Sequence, residues 1–308
     1  MVKYGIGIDL GGTKLSAALI EDSGKILYRD DILLSGREGD EVGNLIINTL
    51  KTSLKNIPGN ASVSGIGISV PGIANPTTGR IWAPNIPGWS DYPLRDRVNE
   101  SLNGQAIPVR IECDRTCYIL GETWLGAAKG LKDAIYLSVG TGIGAGILCG
   151  GSIIRGQDGI AGAVGWMAMS TRFRKEYVSC GNFEFQASGA GMVRYANQLV
   201  QGQDLLFQDA QGLFSAFENG NPLAKKVIRE AIRAWGKSVA NLVSVFNPAM
   251  IVFGGGIFGP AGKFLPEIRK EAIRWAQPIS MSRVQIGISS LKGDAGLLGA
   301  GRLSFIQI

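Results

Sequence analysis

The sequence predicts an α/β protein made of two similar halves, and three observations carry that prediction. An apolar run at residues 4–8 ends in Asp9-Leu10-Gly11-Gly12-Thr13-Lys14, and an apolar-alternating run at 15–20 follows at once. Two strands joined by a glycine turn read as a hairpin. The same design returns at 134–148, around Gly140-Thr141-Gly142-Ile143-Gly144-Ala145-Gly146. In each half, short apolar runs then alternate with stretches of helical spacing, which suggests a duplicated βββαβα unit. A length of 308 residues also favours two domains.

Taken in order, Asp22-Ser23-Gly24 is a turn and residues 25–34 a third strand. Val42, Leu45, Ile46 and Leu50 recur at helical spacing over 42–54. Residues 64–70 are a buried strand ending in Pro71-Gly72. Residues 80–89 form a loop with two Trp and two Pro, and Asn85 sits between the prolines. Such a loop offers a polyhydroxylated ring an aromatic wall and an amide, or it is simply a stiff structural loop. A helix at 92–102 and a strand at 107–112 lead to Cys113-Asp114-Arg115, and a helix covers 116–128. Asp114 therefore stands at a strand's C-terminal end and a helix N-terminus. It is either a first-turn acid or a carboxylate that accepts a hydroxyl proton.

Residues 153–170 are glycine-rich and loop-like, and 184–201 reads as one helix running through Ser188-Gly189. Residues 222–246 form a long amphipathic helix closed by Asn247-Pro248. A buried strand at 249–253 ends in Gly254-Gly255-Gly256, where a flat group such as a nucleoside base can lie close to backbone. A helix at 264–275, a strand at 284–289 and a helix at 295–304 complete the chain.

Composition narrows the chemistry. With 45 glycines, no Gly-X-Y period and clusters between apolar runs, the glycines read as turns and ligand loops. The net charge of +6 is spread out, which argues against nucleic acid as a partner. Histidine is absent, so a triad using His is impossible and a His/Cys zinc site is not expected. Cys113, Cys117, Cys149 and Cys180 show no C-x-x-C spacing and suit a reducing cytoplasm. No run reaches the length of a membrane span, and no signal peptide precedes the first strand. The backbone N–H groups at Gly11, Gly12 and Thr13 suit phosphate. Asp9 beside them would repel it unless a divalent cation, held through water, lies between.

These motifs, in this order, resemble the ROK family of sugar kinases in the actin and hexokinase-like ATPase superfamily. The quoted matches are 9–14, Pro71-Gly72, 84–89, Cys113-Asp114, 140–144 and 254–256. The resemblance implies two ribonuclease-H-like (actin-like ATPase) domains flanking a cleft. The first spans 1–115 and is rejoined by a terminal helix at 295–308; the second, nucleotide-binding, spans 116–294. It implies transfer of the ATP γ-phosphoryl to a sugar hydroxyl, usually the 6-OH of a hexose. Asp114 would be the base. Asp9 would help to place Mg²⁺ through water. Gly11, Gly12, Thr13, Lys14, Thr141 and Gly142 would hold phosphates, and Gly254, Gly255 and Gly256 the adenosine. Asn85, Asp114, Glu184 and Trp166 would line the sugar. A homodimer, cytoplasmic location and no nucleic acid or membrane partner go with this reading.

The chain also departs from the family pattern. Where the family carries Glu-x-Gly-His, this sequence has Ala163-Val164-Gly165-Trp166, and of the zinc segment only Cys180-Gly181-Asn182 and Glu184 remain. No zinc is expected, and plain glucose is not the expected acceptor. A deoxy, amino or anhydro sugar, or a cyclitol, fits the altered residues. A non-catalytic sugar or nucleotide sensor of the same fold is the alternative. A repressor of the family would need a helix-turn-helix ahead of residue 4, where the sequence leaves no room.

Overall fold

The structure is a computed structural model that describes residues 2–59, 61–200 and 207–306. The chain divides into two compact units. One comprises Met1–Gly130, Arg155–Ala161 and Ser290–Ile308; the other comprises Leu131–Ile154 and Gly162–Ser289.

The first unit opens with a meander of β1 (Tyr4–Leu10), β2 (Lys14–Glu21) and β3 (Ile26–Leu33). Helix α1 (Gly39–Lys55) buries Val42, Ile46 and Leu50 and carries Asp40 and Glu41 in its first turn, where the helix dipole favours acids. Strand β4 (Val63–Val70) follows, then a small ribbon of β5 (Ile73–Ala74) and β6 (Ile81–Trp82). After α2 (Leu94–Ser101) come β7 (Val109–Cys113) and α3 (Asp114–Trp124). The sheet order is β3-β2-β1-β4-β7, with β1, β4 and β7 parallel. β1 and β4 lie inside the sheet, covered on both faces, so their sequences read as continuous apolar runs rather than alternating ones.

The second unit repeats the plan with β8 (Ala134–Val139), β9 (Ile143–Cys149) and β10 (Ser152–Ile153). A 3₁₀ turn at Val164–Trp166 precedes α4 (Tyr177–Cys180), α5 (Asn182–Ala187), α6 (Gly189–Gln198) and α7 (Ala210–Glu218). Helix α8 (Pro222–Phe246) has the ends its sequence announces. Asn221 caps the N–H groups of Leu223 and Ala224, Pro222 occupies the first turn, and Asn247 closes the helix in a left-handed conformation. Strand β11 (Met250–Gly254), α9 (Leu265–Ile273), α10 (Pro278–Arg283) and β12 (Gln285–Ile288) complete the unit. Its sheet order, β10-β9-β8-β11-β12, matches the first in strand direction as well as sequence. The duplication read from the two glycine hairpins is therefore a duplication of topology.

The last helix, α11 (Ala295–Leu303), returns to the first unit and packs on α3, β1 and β4. The crossing is close because its side chains are small. A Cβ on Gly299 would collide with the Cys117 carbonyl, and one on β4's Gly67 with the Ala300 carbonyl. This packing corrects the domain boundary expected at residue 115: α3 belongs with α11, so the first unit continues to Gly130. It also takes in Arg155–Ala161, which the sequence reading assigned to the second domain. The expected helix 184–201 is likewise two helices. Ser188 turns extended and its hydroxyl caps α6 by accepting from the Gly191 N–H. Residue 201 of that expectation, and 307–308 of the terminal helix, lie outside the described residues. Among the described residues no helix is long and apolar enough to cross a membrane.

Candidate functional site

In the first unit, strand pairing gathers the acids. Asp9 lies opposite Ser69 across β1 and β4, and Val70 lies opposite Cys113 across β4 and β7. Asp9 and Asp114 thus stand at the carboxyl ends of β1 and β7, the parallel strands on either side of β4, at the sheet end where open α/β sheets bind ligands. Gly296 of α11 makes room for the Asp9 carboxyl, which would lie 2.5–2.8 Å from a Cβ at that position. Burial pushes the Asp9 carboxyl up to about 6; the Asp114 charge adds to this, while the Ser69 hydroxyl and Lys14 ammonium oppose it. Asp114 is the first residue of α3 and accepts the Arg115 N–H at 2.7 Å. Burial raises its carboxyl too, against the lowering effect of Arg115 and Tyr118. Two carboxylates at one end of the sheet favour a cation, and hydrated Mg²⁺ fits such an oxygen donor set. Among the described residues no group of three or more His, Cys, Asp or Glu is placed to hold a metal.

The glycine hairpin beside them is partly committed to its own turn. The Gly11 N–H donates to the Lys14 carbonyl at 2.9 Å. Lys14 reaches Asp31, with Nζ 3.5 Å from Oδ1. Thr13 is exposed, and Gly12 faces Asn85, whose Nδ2 lies 3.6 Å from where a Cβ would stand. Asn85 is exposed on a turn closed by the Ala83 N–H to Trp89 carbonyl bond of 2.7 Å. The two tryptophans of that loop divide the work. Trp89 is buried, stacked on Tyr92 at 4.3 Å, and donates Nε1 to the Gly39 carbonyl, so it anchors the turn. Trp82, 48% exposed, is the one left with open ring surface.

In the second unit, the hairpin at 140–142 borders a cavity of about 640 Å³, a volume suited to a small cofactor. Gly140, Thr141, Gly189, Ala190, Arg194 and Gly256 are among its lining residues. The Gly189 N–H donates to the Gly140 carbonyl at 2.8 Å, so the first turn of α6 is tied to the hairpin. The cavity wall thus carries a helix N-terminus, whose Gly189 and Gly191 N–H groups are already paired within the protein. Of the three consecutive glycines, only Gly256 is on that wall. Gly254 is buried, and a Cβ there would collide with the Tyr136 hydroxyl; Gly255, at φ 85°, packs on the Val139 carbonyl. Gly142 gives space to Glu184, whose Oε2 would be 2.7 Å from a Cβ there.

Glu184 accepts the Ile143 N–H at 2.7 Å, and burial raises its carboxyl. Trp166 is 57% exposed at the end of its 3₁₀ turn. Behind it, Gly181 at φ 82° packs on the Gly165 carbonyl and the Trp166 Cα, where a side chain would collide. Asn182, buried, accepts N–H groups from Met169 at 2.5 Å and Ser170 at 3.0 Å. Glu184, Gly181 and Asn182 therefore fasten the 166–170 stretch and the hairpin to one short helix. Ser69 and Arg194 escaped the sequence reading, and Asn182 entered it only as a remnant of the zinc segment, since each acts through neighbours apart in sequence. The N-terminus of α6 did leave a signal, the Ser-Gly pair at 188–189, but it was read as helix interior.

The model described as ROK family matches residues 5–305. Glucokinase from Halalkalibacterium halodurans is 31% identical, over 98% of this chain and 94% of its own. The xylose repressor of Caldicellulosiruptor bescii is also 31% identical, over 96% of this chain and 76% of its own. The crystal structure of a ROK hexokinase from Thermus thermophilus matches with a TM-score of 0.82 at 29% identity, covering 97% of each chain. A Streptomyces griseus glucokinase in complex with glucose and AMPPNP matches at 0.73 and 28%, over 97% of this chain and 98% of that one.

Proposed function

This chain belongs to the ROK family and has its actin-like ATPase fold, and we propose that it is a carbohydrate kinase. It transfers the γ-phosphoryl of ATP to a hydroxyl, the 6-OH, of a hexose-like acceptor other than plain glucose. The observation that carries this reading is Asp114, a partly buried carboxylate at the first turn of α3 whose charge is felt at Asp9. Burial strengthens it as a base, which suits a group that must take a proton from an alcohol. The acceptor oxygen attacks the γ-phosphorus, its proton passes to Asp114, and the bond to the β-phosphate oxygen breaks to release ADP. Such a transfer needs in-line placement and charge neutralisation more than covalent help.

Asp9 would hold Mg²⁺ through water, and the ion would supply neutralisation of phosphate charge there. Gly11, Gly12, Thr13 and Lys14 in the first unit, with Thr141 and Gly142 in the second, serve the phosphates. The second unit's cavity takes the adenosine, with Gly256 as the wall residue of the glycine triplet. Asn85, Asp114, Glu184 and Trp166 serve the acceptor. The methyl of Ala163 and the indole of Trp166 stand where the family pattern has a carboxylate and an imidazole, so the acceptor lacks polar partners along one edge. A site built for a hydroxyl discriminates strongly, because an unpaired polar group costs about 1–3 kcal/mol. A deoxy, amino or anhydro sugar, or a cyclitol, meets that condition. The enzyme works as a cytoplasmic homodimer.

A coupled ADP-release assay over hexoses, amino sugars and cyclitols, with Asp114→Asn as control, tests the proposal. Absence of turnover above the Asp114→Asn background on every acceptor overturns it in favour of a sugar or nucleotide sensor. A kcat/KM on glucose equal to that on the best acceptor overturns the claim about the substrate alone.

A further inference from the structure

At the edge of the first unit's sheet, a cavity of about 430 Å³ opens beside β7, the outermost strand. Its wall holds three guanidinium groups, those of Arg95, Arg110 and Arg155, against one carboxylate, Glu112. Arg95 spends two nitrogens on the carbonyls of Pro76 and Thr77, which fixes the turn at the rim. Arg155 gives Nε to Glu112 Oε1 at 2.5 Å, and its two terminal nitrogens meet no acceptor among the described residues. Arg110 lies two residues before Glu112 on β7 and so projects from the same face. It meets no carboxylate among the described residues, and its Nη1 is buried without a hydrogen-bond partner. Buried N–H groups are nearly always paired, so this nitrogen, closed off beside Gly65, gains a partner only when an occupant draws the Arg110 side chain toward the cavity.

We propose that this cavity is a second small-molecule site, which takes a small phosphorylated polyol through its phosphate monoester. A guanidinium fork matches two phosphate oxygens at once. Arg110 and Arg155 provide two such forks, and the cavity's excess of two positive charges balances a dianionic phosphate. The volume exceeds that of a bare phosphate and leaves space for a short carbon chain. The site also sits on the strand that delivers Asp114, two residues beyond Glu112, so an occupant is felt where the acceptor hydroxyl is served.

Titration calorimetry with glycerol 3-phosphate on the intact protein, with no nucleotide present, tests this independently of the kinase reading. One saturable site is expected, at least tenfold weaker in Arg110→Gln and in Arg155→Gln and unchanged in Trp166→Ala. No saturable binding by the unaltered protein overturns the proposal. So does equal binding by Arg110→Gln, or a loss produced by Trp166→Ala alone. Should Arg110→Gln not fold, Arg110→Lys decides. It keeps the charge without the fork, and undiminished affinity in that variant rejects bidentate recognition.

Discussion

Asp114 and Asp9 stand at the same end of one sheet but answer to pH and mutation differently. Asp114→Asn keeps the shape and removes the proton acceptor, so kcat falls by about 10²–10⁴-fold with little change in the KM for ATP; steady-state kinetics checks it. Asp9 is neutral below about 6 and charged above it. Activity that needs its negative charge therefore rises with pH through that value, and the rising limb is lost in Asp9→Asn. Stability runs the other way. The folded pKa lies above the ordinary 3.8, so this group's contribution is full below that ordinary value and is lost as pH climbs through about 6. Denaturation midpoints measured at a series of pH values should show the two trends crossing. Both acids were legible in the sequence, because each directly follows an apolar run and precedes glycines or a helix. The Gly254 assignment shows the limit. A glycine that admits a ligand and one that admits the Tyr136 hydroxyl look alike until the strands are paired.

Between elements, a few side chains do the fastening. Asn182→Ala leaves the Met169 and Ser170 N–H groups without their acceptor, and the expected loss is about 1–3 kcal/mol in urea unfolding. Its functional mark is a raised KM for the acceptor, since the same segment carries Trp166, with the KM for ATP less affected. Gly299→Ala forces a methyl against the Cys117 carbonyl where α11 crosses α3, and about 1–3 kcal/mol should be lost, read as a lower Tm. The long elements were legible because their periodicity spans many residues; α8 matches its expected limits at both ends. The α5–α6 break was not, since an extended Ser188 interrupts a pattern that stays apolar on both sides. Helix α10, six residues long, was missed for its brevity, a length at which caps outweigh periodicity; α7 was missed as well.

At the scale of the whole chain, the two units share one topology but not one kind of continuity. Apart from the excursion at Arg155–Ala161, the second unit is a single stretch, whereas the first needs Ser290–Ile308 to cover one face of its sheet. Truncation after Ser289 should therefore uncouple them. Hydrogen exchange is expected to speed up across β1, β4 and α3 while β8 and β11 stay protected, and uniform protection would contradict it. The glycine hairpins made the repeat legible. The assignment of α3 and of 155–161 to the first unit was hidden, because it depends on what α11 and Glu112 touch. For a growing polypeptide this arrangement sets an order. The half that begins at the N-terminus cannot close until the last helix has left the ribosome, by which time the half encoded after it is already free to fold. Synthesis runs from first residue to last, yet the N-terminal sheet is completed second, and until then the face that α11 covers lies open.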